Sequence, residues 1–216
     1  RQWEVPPVPL GELPEVRLNG LRLAWTDQFG EHPVTGETQA AIHRLVEDLA
    51  RAGCEIRHEP FKGFDFTSAF DLFKQLSRVE GPEGPAETSL GQFIGWMQER
   101  HALTTAMNRV FETCDALLCP VAMRPAFPHC PPGTPLDVDG RPVRYLRGQL
   151  WYTAPFNVTG NPAVALPLAR SGNGLPIGLQ VVGRRWEEMR LLAIAEGLVE
   201  ITGPFHKPPG NIPTLF

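Results

Sequence analysis

Two runs in the last third of the chain, Ala163 to Leu168 and Leu175 to Val182, are apolar at successive rather than alternating positions. Continuous apolar runs of this length predict strands buried on both faces. The SGNG turn between them, Ser171 to Gly174, predicts a hairpin in the middle of a sheet sandwiched between helices. Glu187 to Ile201 then has the three-and-four spacing of an amphipathic helix that can lie on this hairpin.

Towards the N-terminus, Leu21 to Trp25 reads as a strand. Thr35 is an N-cap candidate for a helix reaching about Ala52, with Ala41, Ile42, Leu45, Val46 and Leu49 on its inner face. Gly53 sits where such helices end, and Cys54 to Glu59 reads as a second strand. Residues 21–59 therefore predict a strand-helix-strand unit with parallel strands. Phe66 to Val79 is helical, with Phe70, Phe73 and Leu76 on one stripe; Glu80 to Glu87 is a breaker. Thr88 or Ser89 caps a longer helix, Gly91 to Thr113, expected to turn Phe93, Met97, Leu103, Met107, Val110 and Phe111 inward. Ala116 to Pro120 is a short buried strand, and Val121 to Arg144 is Pro-rich with a small hairpin at Asp139-Gly140. Gln149 to Phe156 is expected to make one or two helical turns. The fold expected is α/β, a mixed β-sheet covered by helices on both faces. Residues 1–20 form a Pro-rich lead-in, 21–59 the strand-helix-strand unit and 60–216 the remaining sheet and helices.

Charge changes this picture by exclusion. A net charge of −4 and a pI near 5.9 leave no basic footprint, so neither nucleic acid nor an anionic membrane is an expected partner. No apolar run approaches the roughly 20 residues that span a bilayer. The four cysteines, Cys54, Cys114, Cys119 and Cys130, are irregularly spaced and read as free thiols of a cytoplasmic protein. A zinc site from Cys114, Cys119, His129 and Cys130 lacks a paired C-x-x-C, and no metal or cofactor is expected. Asp137 to Gly140 resembles the start of a calcium loop, but the distal Glu is missing and Pro142 interrupts it; a hairpin turn is the reading. Cys119 and His129 as a nucleophile pair suffer from the apolar strand around Cys119, where a thiol stays protonated.

The motifs carry a resemblance. Asn157-Val158-Thr159-Gly160-Asn161-Pro162-Ala163, an apolar strand, then Gly174-Leu175-Pro176-Ile177-Gly178-Leu179-Gln180-Val181-Val182-Gly183 resemble the end of the amidase signature family. The long helix, Asp115, apolar strand and Pro120 resemble its D-x-(L/I)-L-x-P element. That family hydrolyses amides with a Ser nucleophile, a bridging cis-Ser and a Lys base, the serines lying in a G-G-S-S-G-G run. Here the four serines (Ser68, Ser77, Ser89, Ser171) are never adjacent, and the three lysines (Lys62, Lys74, Lys207) stand in other contexts. No catalytic residue is inherited.

With Arg rather than Met at position 1, the expectation is the C-terminal part of an amidase, inactive alone and acting with a small-molecule amide substrate in the whole enzyme. The resemblance assigns substrate contact to Leu150 and Thr153, with Trp151 and Ala154 beside them. Leu150 stands where glutamine-using amidotransferase subunits carry Asp, so an apolar or aryl amide suits this chain better. Asn157 is expected to satisfy loop backbone, Gly160 to take positive φ, and Arg100 to bond carbonyls or clamp a substrate carboxylate. A truncated sheet would expose strand edges and apolar helix faces, so a homodimer or aggregation through that surface is expected. The alternative is a non-catalytic small-molecule-binding or scaffold domain derived from the same fold.

Overall fold

The computed structural model describes residues 11–79, 88–131 and 133–204. The start of the Pro-rich lead-in, the breaker at 80–87 and most of the C-terminal tail lie outside the described residues. Arg22–Trp25 forms β1, followed by two-residue strands β2 (Gln28–Phe29) and β3 (His32–Pro33), helix α1 (Gly36–Arg51) and strand β4 (Glu55–His58). Helices α2 (Phe66–Val79) and α3 (Leu90–Val110) lead to β5 (Ala116–Pro120) and the hairpin of β6 (Leu136–Val138) and β7 (Arg141–Val143). Two short helices, α4 (Tyr145–Leu150) and α5 (Ala154–Thr159), precede β8 (Ala163–Arg170), β9 (Pro176–Val182) and α6 (Glu188–Thr202).

Five strands pair in the order β4-β1-β5-β9-β8. β1 is parallel to β4 and to β5, while β9 is antiparallel to β5 and β8. Side-chain alternation sorts the sheet into two faces. Leu23, Ala116, Leu118, Leu179 and Val181 pack with Ile42, Leu45 and Leu49 of α1 and Leu191, Ile194 and Leu198 of α6. Ala24, Leu117, Cys119 and Val182 point the other way, towards Phe66, Phe70, Met107, Val110 and Phe156 of α2, α3 and α5. Both faces are covered, which is why β5 is apolar at every position and buried throughout. The strand-helix-strand unit, the parallel pairing and the α/β class are as expected.

Three local expectations change. The hairpin is not central: β9 lies inside the sheet, but β8 ends the strand order, half-exposed along most of its length. Val164, Leu166 and Leu168 of β8 meet the α1–α6 layer, whereas Ala163 and Ala165 on the other face stay exposed. Alanine counts as apolar in a run yet has little side chain to bury. Helix α3 is capped as expected, Ser89 and Gln92 forming a reciprocal capping box. Its burial starts later, however: Phe93 is exposed and Met97 half-buried, while Leu103, Met107 and Val110 are buried. Trp96 is the first side chain along α3 to join the packing against α2 and α5. Finally, Thr35 precedes α1 but does not cap it with its side chain; its Oγ1 lies 2.9 Å from Thr38 Oγ1. The Gly36 N–H instead donates to Asp139 Oδ2 at 2.6 Å. A carboxylate from the β6–β7 turn thus sits at the positive end of α1.

Asp115, between α3 and β5, ties three elements. It accepts from the Arg22 backbone N–H (3.0 Å) and from Arg22 Nη2 (3.0 Å), and Arg190 Nη2 of α6 donates to it at 3.1 Å. Partial burial pulls its pKa upward, but the bonds and charges of Arg22, with Arg190, outweigh that and hold it below the ordinary carboxylate value. A carboxylate depressed on folding stabilises above its unfolded pKa, about 3.9, and that contribution is lost as pH falls through the folded value. The melting-temperature gap between the native protein and Asp115→Asn is therefore expected to be wide near neutrality and to shrink below about pH 4. Thermal melts at a series of acid pH values check this; a gap unchanged into that range would contradict the assignment.

Candidate functional site

The site is built at the break between α4 and α5. Trp151, Tyr152 and Thr153 lie between the helices, and Pro155 sits in the first turn of α5. Proline has no N–H to extend the preceding helix and is well placed in the first turn of a new one. Leu150 is therefore the last residue of α4 and Thr153 the residue preceding α5, so the turns expected over 149–156 are divided between two helices. The two residues are joined across the turn, Thr153 N–H donating to Leu150 O at 3.1 Å.

The turn drives two aromatic side chains into the core. Trp151 is 2% exposed, and its Nε1–H donates to Phe29 O at 3.0 Å. Tyr152 is buried beside Phe29, its ring stacked at 4.7 Å, and its hydroxyl donates to His32 O at 2.6 Å. Burial pushes the Tyr152 phenol well above its usual pKa, so it stays protonated. Phe29 also stacks on Phe66 at 4.3 Å and meets Phe61 edge-on at 5.3 Å. Phe61 holds φ +49°, a strained value for a bulky residue, with its N–H bonded to Glu59 Oε1 at 2.8 Å. The short β2–β3 ribbon is thus clamped between α2 and the α4–α5 turn.

A cleft of about 480 Å³ opens along this aromatic wall, lined by Gly30, Glu31, His32, Phe64, Asp65, Phe66, Thr67 and Trp151. Of the four expected contact residues, Trp151 lines it. Leu150 is half-buried against the core cluster that includes Trp151, Thr153 is half-buried, and Ala154 is fully buried. His32 has its pKa lowered, first by desolvation and then by the Arg147 charge, so its imidazole is neutral at neutral pH.

The N-x-T-G-x-P segment closes the α5 end. Gly160 takes φ +73° as the left-handed C-cap of α5, a conformation costly for residues with a side chain. Asn157 is exposed, and the bonding expected of it belongs to Asn161. Asn161 is buried; its Nδ2 donates to Gly183 O at 2.9 Å and its Oδ1 lies 2.7 Å from Thr159 Oγ1. Gly183 N–H donates back to Pro162 O at 2.9 Å, so the two ends of the long motif latch together. A Cβ on Gly183 would lie 3.1 Å from Leu191 Cβ, so this glycine allows α6 to approach. Gln180, polar in a buried strand, faces Cys119 across the β5–β9 ladder and donates to Tyr152 O at 3.0 Å. It fixes the α4–α5 turn to the sheet. Asn161 and Gln180 both stand in the motifs quoted for the resemblance, yet neither was singled out; for Gln180 a lone amide within an apolar run is the available signal.

Arg100 donates from Nε to Val158 O at 2.8 Å, the carbonyl-bonding role of its two expected ones. The four cysteines are free thiols. Cys119 is fully buried and burial pushes its thiol up to about 12; Gln180 Nε2 is its polar neighbour at 3.4 Å. His129 is exposed, so the Cys119–His129 pair is not assembled. Asp137 and Asp139 belong to the β6–β7 hairpin, whose Asp139 and Gly140 both take positive φ, as a two-residue turn requires. No group of three potential metal ligands occurs among the described residues. No helix there is long and apolar enough to cross a membrane. These groups can hold an apolar or aromatic ligand, but they offer no activated nucleophile.

Comparison with known proteins decides the lineage. The sequence model of the Amidase family matches residues 86–192, a span that holds both halves of the latch. The chain is also 32% identical over 182 residues to a glutamyl-tRNA(Gln) amidotransferase subunit from Desulforapulum autotrophicum, covering 77% of this chain and 36% of the relative. The chain belongs to the amidase signature family. Amidase signature folds match most of this architecture. A bacterial aryl acylamidase of the family superposes with a TM-score of 0.68 at 20% identity, covering 88% of this chain and 45% of its own. A 6-aminohexanoate cyclic dimer hydrolase gives 0.70 at 21% identity, covering 94% of this chain and 50% of its own. The chain thus spans about a third of that curated relative and about half of these structures.

Proposed function

We propose that this chain is the pocket-shaping part of an amidase that hydrolyses a carboxylic acid amide to acid and ammonia or amine. The residues that break the bond, a Ser pair and a Lys, lie outside these 216 residues. The observation that carries this reading is the family match combined with four serines none of which neighbours another. An alcohol nucleophile needs a base within hydrogen-bond reach and backbone donors for the oxyanion, which the family draws from its Gly/Ser run.

The aromatic cleft supports an apolar or aryl amide as substrate, with Trp151 its wall and Leu150, Thr153 and Ala154 the supporting turn. Leu150 offers no charge to pair with an ammonium group, which separates this reading from a glutamine substrate. Leu90, Phe93 and Ile94 of α3 are exposed at 73%, 39% and 48%, an apolar face that supports cover by the rest of the amidase fold. In the isolated chain the same face favours self-association.

A fluorophosphonate probe, whose phosphorus is attacked by an activated serine oxygen with loss of fluoride, tests the assignment. The purified 216-residue chain is expected to remain unlabelled by mass spectrometry. A covalent adduct on any of its serines would overturn the reading.

A further inference from the structure

A second hollow, of about 290 Å³, shares Glu31 and His32 with the aromatic cleft and runs beneath the β6–β7 hairpin. Its floor is apolar: Met123 and Val138 are buried, and Pro33, Pro142 and Val143 continue it. Its rim carries three guanidinium groups, Arg141, Arg144 and Arg147, against the single carboxylate of Glu31. The ion pairs found among the described residues engage other arginines, none of these three.

Arg147 is the most constrained of them. Its guanidinium lies over the Trp151 ring at 5.2 Å and the Phe70 ring at 5.7 Å. Its Nη1 is 3.4 Å from His32 Nε2, and its Nε is buried without a hydrogen-bond partner. Aromatic faces hold the planar cation in place but accept no hydrogen bonds from it in the plane of the fork. A buried N–H donor on a charged group that lacks an acceptor is costly, and a carboxylate oxygen is the acceptor that suits a guanidinium best. The neutral state of His32 leaves Arg147 as the cation of that corner.

We infer that this hollow binds a small organic carboxylate, its apolar body on Met123 and Val138 and its charge turned to Arg147, with Arg141 and Arg144 adding field from the rim. Binding is read without turnover, so this inference stands or falls separately from the hydrolytic one.

The test uses benzoate as probe and benzamide as its uncharged counterpart, titrated into the purified protein by calorimetry. Benzoate is expected to bind at least about tenfold more tightly than benzamide and to weaken as salt rises. Arg147→Gln is expected to lose about tenfold in benzoate affinity. Because Arg147 also packs on Trp151, the exposed Arg144→Gln serves as a second variant. It is expected to keep the native circular dichroism and to bind benzoate about threefold more weakly. Benzoate binding no tighter than benzamide, or unchanged in both variants, would overturn the inference.

Discussion

Trp151→Ala is expected to destabilise the protein by about 4 kcal/mol, enough to lower its melting temperature by roughly 10 °C. The side chain is 2% exposed and contacts Phe70 at 5.3 Å and His32 at 4.3 Å. Truncation would leave a cavity at the α4–α5 turn and deprive the buried Phe29 of the donor to its carbonyl. Each loss is destabilising alone, and shared neighbours make them less than additive. Trp151→Phe separates the two effects: it keeps most of the ring area and removes the hydrogen bond, for an expected cost of about 1–2 kcal/mol. Chemical denaturation of both variants checks the order. If Trp151 served only as a ligand contact, Trp151→Ala would leave stability within about 0.5 kcal/mol of the native protein, and its place in the core would be wrong.

That result bears on how much of the site a sequence can show. The parallel strand-helix-strand unit, β5 and the β8–β9 hairpin were legible because their signals are local: apolar runs, helical spacing and turn residues. Burial was less legible, because it depends on what lies opposite. Ala163 and Ala165 look like core in a run of apolar letters, yet no helix among the described residues covers them, and Phe93 falls on the predicted inner stripe of α3 but precedes the packed part of that helix. The α1 N-terminus illustrates a non-local case. Thr35 has the right chemistry at the right place, but Asp139, about a hundred residues away, supplies the acceptor. In the cleft, the family resemblance pointed to the α4–α5 turn, and Trp151 lines a cavity there. It could not show that Pro155 restarts the helix, nor that His32 and the β2–β3 ribbon form the opposite wall.

The second large effect concerns chemistry. The four serines have other employment or open surroundings. Ser68 Oγ donates to Glu99, Ser89 caps α3, Ser171 Oγ accepts from Leu175 N–H at 3.1 Å, and Ser77 is exposed on α2. Lys74 pairs with Asp71 at 2.6 Å and Lys62 is exposed, so neither activates a serine. The Cys119 and Tyr152 protons are held by burial, and His32 faces Arg147. Among the described residues no activated nucleophile faces the cleft, so on the proposed reading the general base and oxyanion contributions, about 10²–10³ or more each, are expected to be missing from this chain.

The most direct measurement is amide turnover by the purified 216-residue chain. With acetanilide, benzamide and hexanamide as substrates, release of amine or ammonia is expected to match the buffer blank. Turnover that survives repurification and disappears on replacing Ser68, Ser77, Ser89, Ser171 or Cys119 would contradict the assignment of bond-breaking residues to another part of the enzyme.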